Sequence, residues 1–194
     1  MVRHNRFGAI ILAACLLSPK AALATNPLPA LPGDSFCFTR VYDAAHLRRH
    51  PAQRTTSTLA SVQYDKTSGG AWLRMQLRQK GRATAANVVA GCEWSATANR
   101  DTSGNRLLSA YSGEEGFVCI AIYNQQSAEE AGAVVFNVAV DGGALTVYFD
   151  DAIGLWETPE PEAMLKLHRE DRAFRLNRAD AAECSAMDKA LRPE

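Results

Sequence analysis

Two histidines, His46 and His50, stand four residues apart in a segment that is predicted to form one or two turns of helix. This spacing places both imidazoles on the same side of a helix, with Asp43 three residues before the first, as in part of a metal site. Two imidazoles rarely hold a transition metal alone, and the sequence contains no HExxH motif. A polar helix that ends near His50 is the simpler interpretation, and metal binding by His46 and His50 stays open as the alternative.

Acidic residues stand side by side at three places, Glu114-Glu115, Glu129-Glu130 and Asp150-Asp151. A hydrolase acting on sugars needs two carboxylates across a cleft, and Asp150 and Asp151 are the most interesting pair because they follow a strong predicted strand. Adjacent acids in a turn are usually solvated. The sequence has no G-x-S-x-G or S-x-x-K motif and no glycine-rich phosphate loop, so we assign no catalytic residue, cofactor or metal.

Four cysteines lie beyond the first 24 residues: Cys37, Cys92, Cys119 and Cys184. An even number of scattered cysteines, without close pairs, is typical of disulfides in an exported protein rather than of a zinc site. Cys92 and Cys119 fall in consecutive predicted strands, and Cys37 and Cys184 lie near the two ends of the domain. We therefore favour the pairs 37–184 and 92–119, although spacing leaves the other two connectivities open.

The start of the chain has a basic stretch, a short apolar run and small residues up to Ala24. This pattern predicts a signal peptide over residues 1–24 and a periplasmic or secreted protein. The segment Leu12-Ala13-Ala14-Cys15 resembles a lipobox, so a lipid anchor at Cys15 is a minor alternative. The apolar run is too short for a membrane span, and no later stretch is long or apolar enough to form one.

Removal of residues 1–24 takes away three basic residues and no acid, so the rest of the chain has a net charge of about −3. This balance gives no electrostatic reason to expect nucleic acid or an anionic membrane as a partner. Arg74, Arg78, Lys80 and Arg82 form a basic stripe opposite the apolar face of Leu73, which predicts a solvated sheet surface.

The β-forming residues and the turn signals predict a single domain over residues 35–194, preceded by an extended, loosely ordered leader over 25–34. The predicted strands are 36–42, 55–64, 72–78, 88–94, 117–123, 134–140 and 145–149, with a hairpin turn at Asp141-Gly142-Gly143. A short helix after the first strand and a C-terminal helix capped by Asp180 complete the set. Short strands without strand–helix alternation predict a mainly β fold, an antiparallel barrel-like sheet or a sandwich.

Two stretches resemble a family of uncharacterised exported proteins of proteobacteria: residues 37–53, which begin Cys37-Phe38-Thr39-Arg40-Val41, and residues 170–176, which lead to Cys184. The resemblance spans nearly all of the chain after the signal peptide, and it implies neither a reaction nor a ligand. The signal peptide, the four cysteines and the small β-domain are also similar to those of the periplasmic inhibitors of lysozyme, in architecture only.

These observations favour a non-enzymatic periplasmic module that binds a protein or a small ligand, with the loops 97–106 and 124–132 as its contact surface. The alternatives are a hydrolase that uses Asp150 and Asp151, a metal-binding protein that uses His46 and His50, and a lysozyme-inhibitor-like protein. A pocket with convergent titratable groups favours the hydrolase, and a third ligand near both histidines favours the metal.

Overall fold

The computed structural model describes residues 25–98, 100, 108, 110–113, 115–123, 126–127, 131–156 and 163–192. The predicted signal peptide and Cys15 lie outside these residues. Eight strands form the main sheet, and each of the seven predicted strands overlaps one of them. They are β1 (Ser35–Val41), β2 (Thr55–Tyr64), β3 (Ala71–Gln79), β4 (Ala86–Ser95), β5 (Gly116–Tyr123), β7 (Ala133–Val138), β8 (Ala144–Phe149) and β11 (Ala173–Arg178).

The sheet is a closed antiparallel barrel in which strands that follow one another along the chain are neighbours. β4 pairs with β5, and β11 pairs with both β8 and β1, so that no strand of the circle has a free edge. A two-residue strand, β6 (Gln126–Ser127), pairs with the end of β5. Closure removes the unpaired strand edges that an open sheet exposes. The structure confirms the predicted mainly β fold and decides for the barrel over the sandwich.

The interior of the barrel is filled by side chains. Every second residue along each strand points inward, and an eight-stranded barrel is just wide enough for such side chains to meet. The largest fully buried ones are apolar, namely Phe36, Phe38, Phe117, Phe136, Phe149, Phe174, Leu28, Leu73, Met75, Leu77 and Leu145. Two of these rings, Phe117 and Phe136, stack with centroids 4.7 Å apart.

Residues 25–34 cover one end of the barrel, which we call the leader end and which also carries the turns 65–70 and 139–143. The prediction of an extended, loosely ordered leader was wrong, because this segment forms a 3-10 turn over Leu28–Ala30 and buries Leu28 completely in the barrel core. Leu31 packs against the same core. Two leucines therefore anchor a segment whose prolines gave it the composition of a linker.

A helix and a small hairpin lie at the opposite end, which we call the α1 end. The helix α1 (Ala44–Arg49) follows β1, as predicted. Strands β9 (Ala152–Gly154) and β10 (Met164–Lys166) form the hairpin, whose Ile153 and Leu165 are buried in the barrel core. Nearby, the buried Asp171 accepts hydrogen bonds from the backbone N–H groups of Arg54 and Thr55, both at 2.9 Å.

The C-terminal helix α2 (Ala181–Ala190) lies against the outside of β1, β2 and β3. The Asp180 side chain accepts a hydrogen bond from the N–H of Ala182, which confirms the predicted N-cap. Cys184, Met187 and Leu191 are buried on the inner side of α2. Within the described part of the chain, neither helix has the length and apolar composition needed to cross a bilayer.

Candidate functional site

Helix α1 brings His46 and His50 together as a stacked pair, with ring centroids 4.4 Å apart and planes at 24°. Nε2 of His46 lies 3.0 Å from Oε1 of Gln53. The Gln53 amide nitrogen donates to the Thr55 carbonyl, so Oε1 is the acceptor and His46 carries its hydrogen on Nε2. Stacked imidazoles direct their nitrogens side by side, whereas two ligands of one metal converge on it.

No group of three or more His, Cys, Asp or Glu side chains among the described residues is arranged to hold a metal ion. Asp43, three residues before His46, caps α1 instead: its Oδ1 accepts a hydrogen bond from the N–H of His46 at 2.6 Å. This bond is the main reason why the pKa of the Asp43 carboxyl is below its usual range. The geometry at α1 therefore explains these residues as parts of a local polar network.

Asp150 and Asp151 lie exposed at the α1 end, in the turn after β8. Oδ1 of Asp150 accepts a hydrogen bond from the N–H of Asp151 at 2.8 Å. Glycoside hydrolysis needs two carboxyl groups facing each other across the substrate, about 5 to 9.5 Å apart. The structure places these two side by side in one turn, and neither lines the two surface depressions described below.

The two loops predicted as the contact surface lie largely outside the described residues. Of the loop 97–106 the structure describes residues 97, 98 and 100, and of the loop 124–132 it describes residues 126–127 and 131–132. Ala98 packs in a small cluster with Leu108, Tyr111 and Val135 on the outside of the barrel. The described part of the first loop therefore covers the outer wall formed by β7.

An open cleft of about 940 Å³ lies on the outer face of β3, β4 and β5, near the leader end. Trp72, Gly91 and Ile120 form a row across these strands, because Trp72 pairs in register with Gly91 and Gly91 with Ile120. The indole of Trp72 lies beside Gly91, where an added methyl group would be 3.6 Å from the ring. Ile120 is 46% exposed, although it belongs to a central strand.

The polar part of the cleft comes from the β2–β3 turn and from β4. Asp65 accepts hydrogen bonds from the N–H of Thr67 and the hydroxyl of Ser68, both at 2.8 Å. These bonds, with that from Ser68 the stronger, lower the pKa of the Asp65 carboxyl. Glu93 is exposed and forms no ion pair within the described part of the chain. The cleft thus combines an apolar floor with two carboxylates.

A second depression, of about 570 Å³, opens at the leader end and shares the side chain of Trp94 with the cleft. It is lined by Tyr111, Asn137 and the exposed Val140, among others. The Tyr111 hydroxyl lies 3.1 Å from the Asn137 side-chain amide, and burial raises the pKa of Tyr111. Trp94 itself is held by an edge-to-face contact with Phe117.

The side chains of the cleft suit recognition better than acid–base catalysis. None of the lining residues is a histidine, lysine or arginine, so Ser68 and Ser95 have no general base of the usual kind beside them. Asp65 has a lowered pKa, whereas a carboxylic acid that donates a proton near neutral pH needs a raised one. The only signals for this cleft in the sequence are the alternation of β3 and the glycine in β4, which do not form a recognisable motif.

Arg74 corrects the prediction of a solvated basic stripe on β3. Only 3% of its surface is exposed, because α2 covers it. Its Nε donates to the Leu191 carbonyl at 2.9 Å, and its Nη1 donates to the Gln63 side chain at 3.1 Å. Asp188 lies 4.0 Å from the same Nη1. Arg74 therefore holds the end of α2 on the barrel, whereas Arg78 and Lys80 are exposed as predicted.

Two disulfides join Cys37 with Cys184 and Cys92 with Cys119, the connectivity that the sequence favoured. The first fastens α2 to the outside of β1, and the second lies inside the barrel between β4 and β5. Both fit an oxidising compartment outside the cytoplasm. No family model, no curated protein and no solved structure matches this chain.

Proposed function

We propose that this protein is an exported, non-enzymatic binding module of the periplasm, and that its contact surface is the outer cleft of β3, β4 and β5. The exposed side chain of Ile120 carries this proposal. Ile120 stands on the barrel wall between two covered parts. One part is covered by α2 and Trp156, and the other by Ala98, Leu108 and Tyr111. An apolar side chain on a rigid sheet, next to a tryptophan, gives a partner a preformed contact.

Export is supported by the predicted signal peptide, by the two disulfides and by the resemblance to exported proteins of proteobacteria. The filled barrel favours binding on the outside, because its interior has no room for a ligand. Inhibition of lysozyme belongs to the same class of function, but it rests on fold-level analogy alone. The outer cleft replaces the two loops as the first surface to test.

The test places a photo-crosslinking amino acid at position 120 of the full chain, expressed in bacterial cells. We expect a periplasmic protein that begins at Thr25 and forms discrete crosslinked products, which mass spectrometry identifies. Met164, also exposed but on β10 outside the cleft, is the matched control position. With the crosslinker moved to position 118, where Val118 also lines the cleft, an Ile120→Asp substitution should reduce capture of the same partner at least tenfold. Identical products from positions 120 and 164, or full-length protein in the cytoplasm, would contradict the proposal.

A further inference from the structure

The basic residues in the first half of the domain are distributed unevenly. Between Asp43 and Glu93 the sequence contains eight lysines and arginines but a single acid, Asp65. The fold places Asp65 and Lys66 in a turn at the leader end and Arg74 beneath α2. The other six lie at the α1 end and are here called the basic face, which consists of Arg48, Arg49, Arg54, Arg78, Lys80 and Arg82.

The basic face is one continuous surface. The Arg54 guanidinium donates to the Lys80 carbonyl at 3.1 Å, and the Lys80 ammonium donates to the Gln53 carbonyl at 3.4 Å. Gln53 in turn accepts the hydrogen bond from His46, which joins this surface to α1 with its exposed Arg48. All members of the face are exposed except Arg82, which is partly buried.

Acidic side chains do not neutralise this face. None of its six cations forms an ion pair within the described part of the chain. Asp43 caps α1 and offsets part of the charge of Arg49, and the buried Asp171 accepts hydrogen bonds from the N–H groups of Arg54 and Thr55. Asp150 and Asp151 follow β8, which is separated from β2 by β11 and β1. The local charge is therefore strongly positive, although the net charge of the chain after the signal peptide is about −3.

The chemistry around the basic face favours a bilayer over a small anion. Val41 is 74% exposed, and the register carries from Val41 to Ser57 and from Ser57 to Arg78, so an aliphatic side chain stands in line with the cations. Cations attract anionic headgroups, and an apolar side chain enters the layer beneath them. A small anion needs donors that converge in a concavity, whereas the two surface depressions described above lie elsewhere.

We propose that the basic face binds the surface of a bilayer that contains anionic phospholipids, and so holds the protein against a membrane without spanning it. This inference does not depend on the outer cleft, which lies near the other end of the barrel. The net charge of the chain is a sum over both ends of the barrel, so it does not predict a local positive surface at one of them.

The experiment measures co-sedimentation of the mature protein with vesicles of phosphatidylcholine alone or mixed with phosphatidylglycerol. We expect binding only to the anionic vesicles at 0.1 M salt and its loss at 1 M salt, where the screening length falls from about 10 Å to about 3 Å. The triple variant Arg48→Gln, Arg49→Gln, Arg78→Gln should bind about 100-fold more weakly, at roughly fivefold per cation. The side chains of these three residues form no hydrogen bond or ion pair in the described structure.

The control variant Arg175→Gln, Lys189→Gln, Arg192→Gln changes the net charge equally but at exposed positions outside the basic face. It should bind like the wild type. Equal binding to both kinds of vesicle, or equal weakening by the two triple variants, overturns the proposal. So does retention by soluble polyphosphate without binding to vesicles, which would make the ligand a free polyanion. If a variant fails to fold, the salt dependence of vesicle binding by the wild type still tests the proposal.

Discussion

The buried guanidinium of Arg74 attaches the end of α2 to the barrel. We expect Arg74→Ala to lower the free energy of unfolding by about 2 to 4 kcal/mol, because the covered Leu191 carbonyl loses its donor. Asp188 loses its nearby cation and keeps only the hydrogen bond from the Ser61 hydroxyl. Urea titration followed by tryptophan fluorescence measures the loss. Arg78→Ala, four residues further along β3 on the same face but exposed, is the matched control and should change stability by about 0.5 kcal/mol at most. Equal effects would mean that α2 does not depend on Arg74.

The difference between Arg74 and Arg78 shows which structural features the alternation of a strand predicts and which it does not. Alternation in β3 correctly places both side chains on the face opposite Leu73. Alternation does not predict which residues of that face are buried by another segment of the chain. The partner of Arg74, Leu191, is 117 residues away along the chain, and no local signal joins them. The same applies to Ile120, whose exposure depends on which segments cover its neighbours.

Strand β11 closes the barrel, and it is the barrel strand that the sequence pattern does not predict. Phe174 and Leu176 point inward and alternate with exposed residues, as in any strand with one buried face. Only two apolar positions carry this pattern, and a highly charged stretch precedes them, so the sequence alone predicts no strand there. Its partners β8 and β1 lie far apart in sequence. Pairing between strands that are far apart in sequence cannot be predicted from the local composition.

The two disulfides differ in the length of chain that they close, 147 residues for Cys37–Cys184 and 27 for Cys92–Cys119. Because a longer loop restricts the unfolded chain more, the double variant Cys37→Ala, Cys184→Ala should be less stable than Cys92→Ala, Cys119→Ala by about 1.5 kcal/mol. Thermal and urea unfolding of both variants under the same conditions test this order. The reverse order would mean that packing inside the barrel outweighs chain entropy.

At the scale of the whole molecule, the sequence predicts a mainly β domain with its disulfides, a barrel-like sheet or a sandwich, but it does not predict the surfaces of the domain. Strands, turns and caps depend on neighbouring residues, which is why β1, α1 and the Asp141-Gly142-Gly143 turn lie where the patterns place them. A cleft or a charged face depends on which elements closure brings side by side. The basic face is an example, since it joins α1 to the turn between β3 and β4.

A filled interior distinguishes this barrel from barrels that carry a ligand inside. Phe136 is fully buried against Phe117, so Phe136→Ala should destabilise the protein by about 3 to 5 kcal/mol and leave an apolar cavity. Benzene should then raise the melting temperature of this variant and leave that of the wild type unchanged, because an apolar cavity that stays dry binds small apolar molecules. Tyr148→Ala, on the half-buried outer face of β8, is the control and should not respond. Uptake of benzene by the wild type would contradict the filled interior and would make the barrel lumen a candidate binding site.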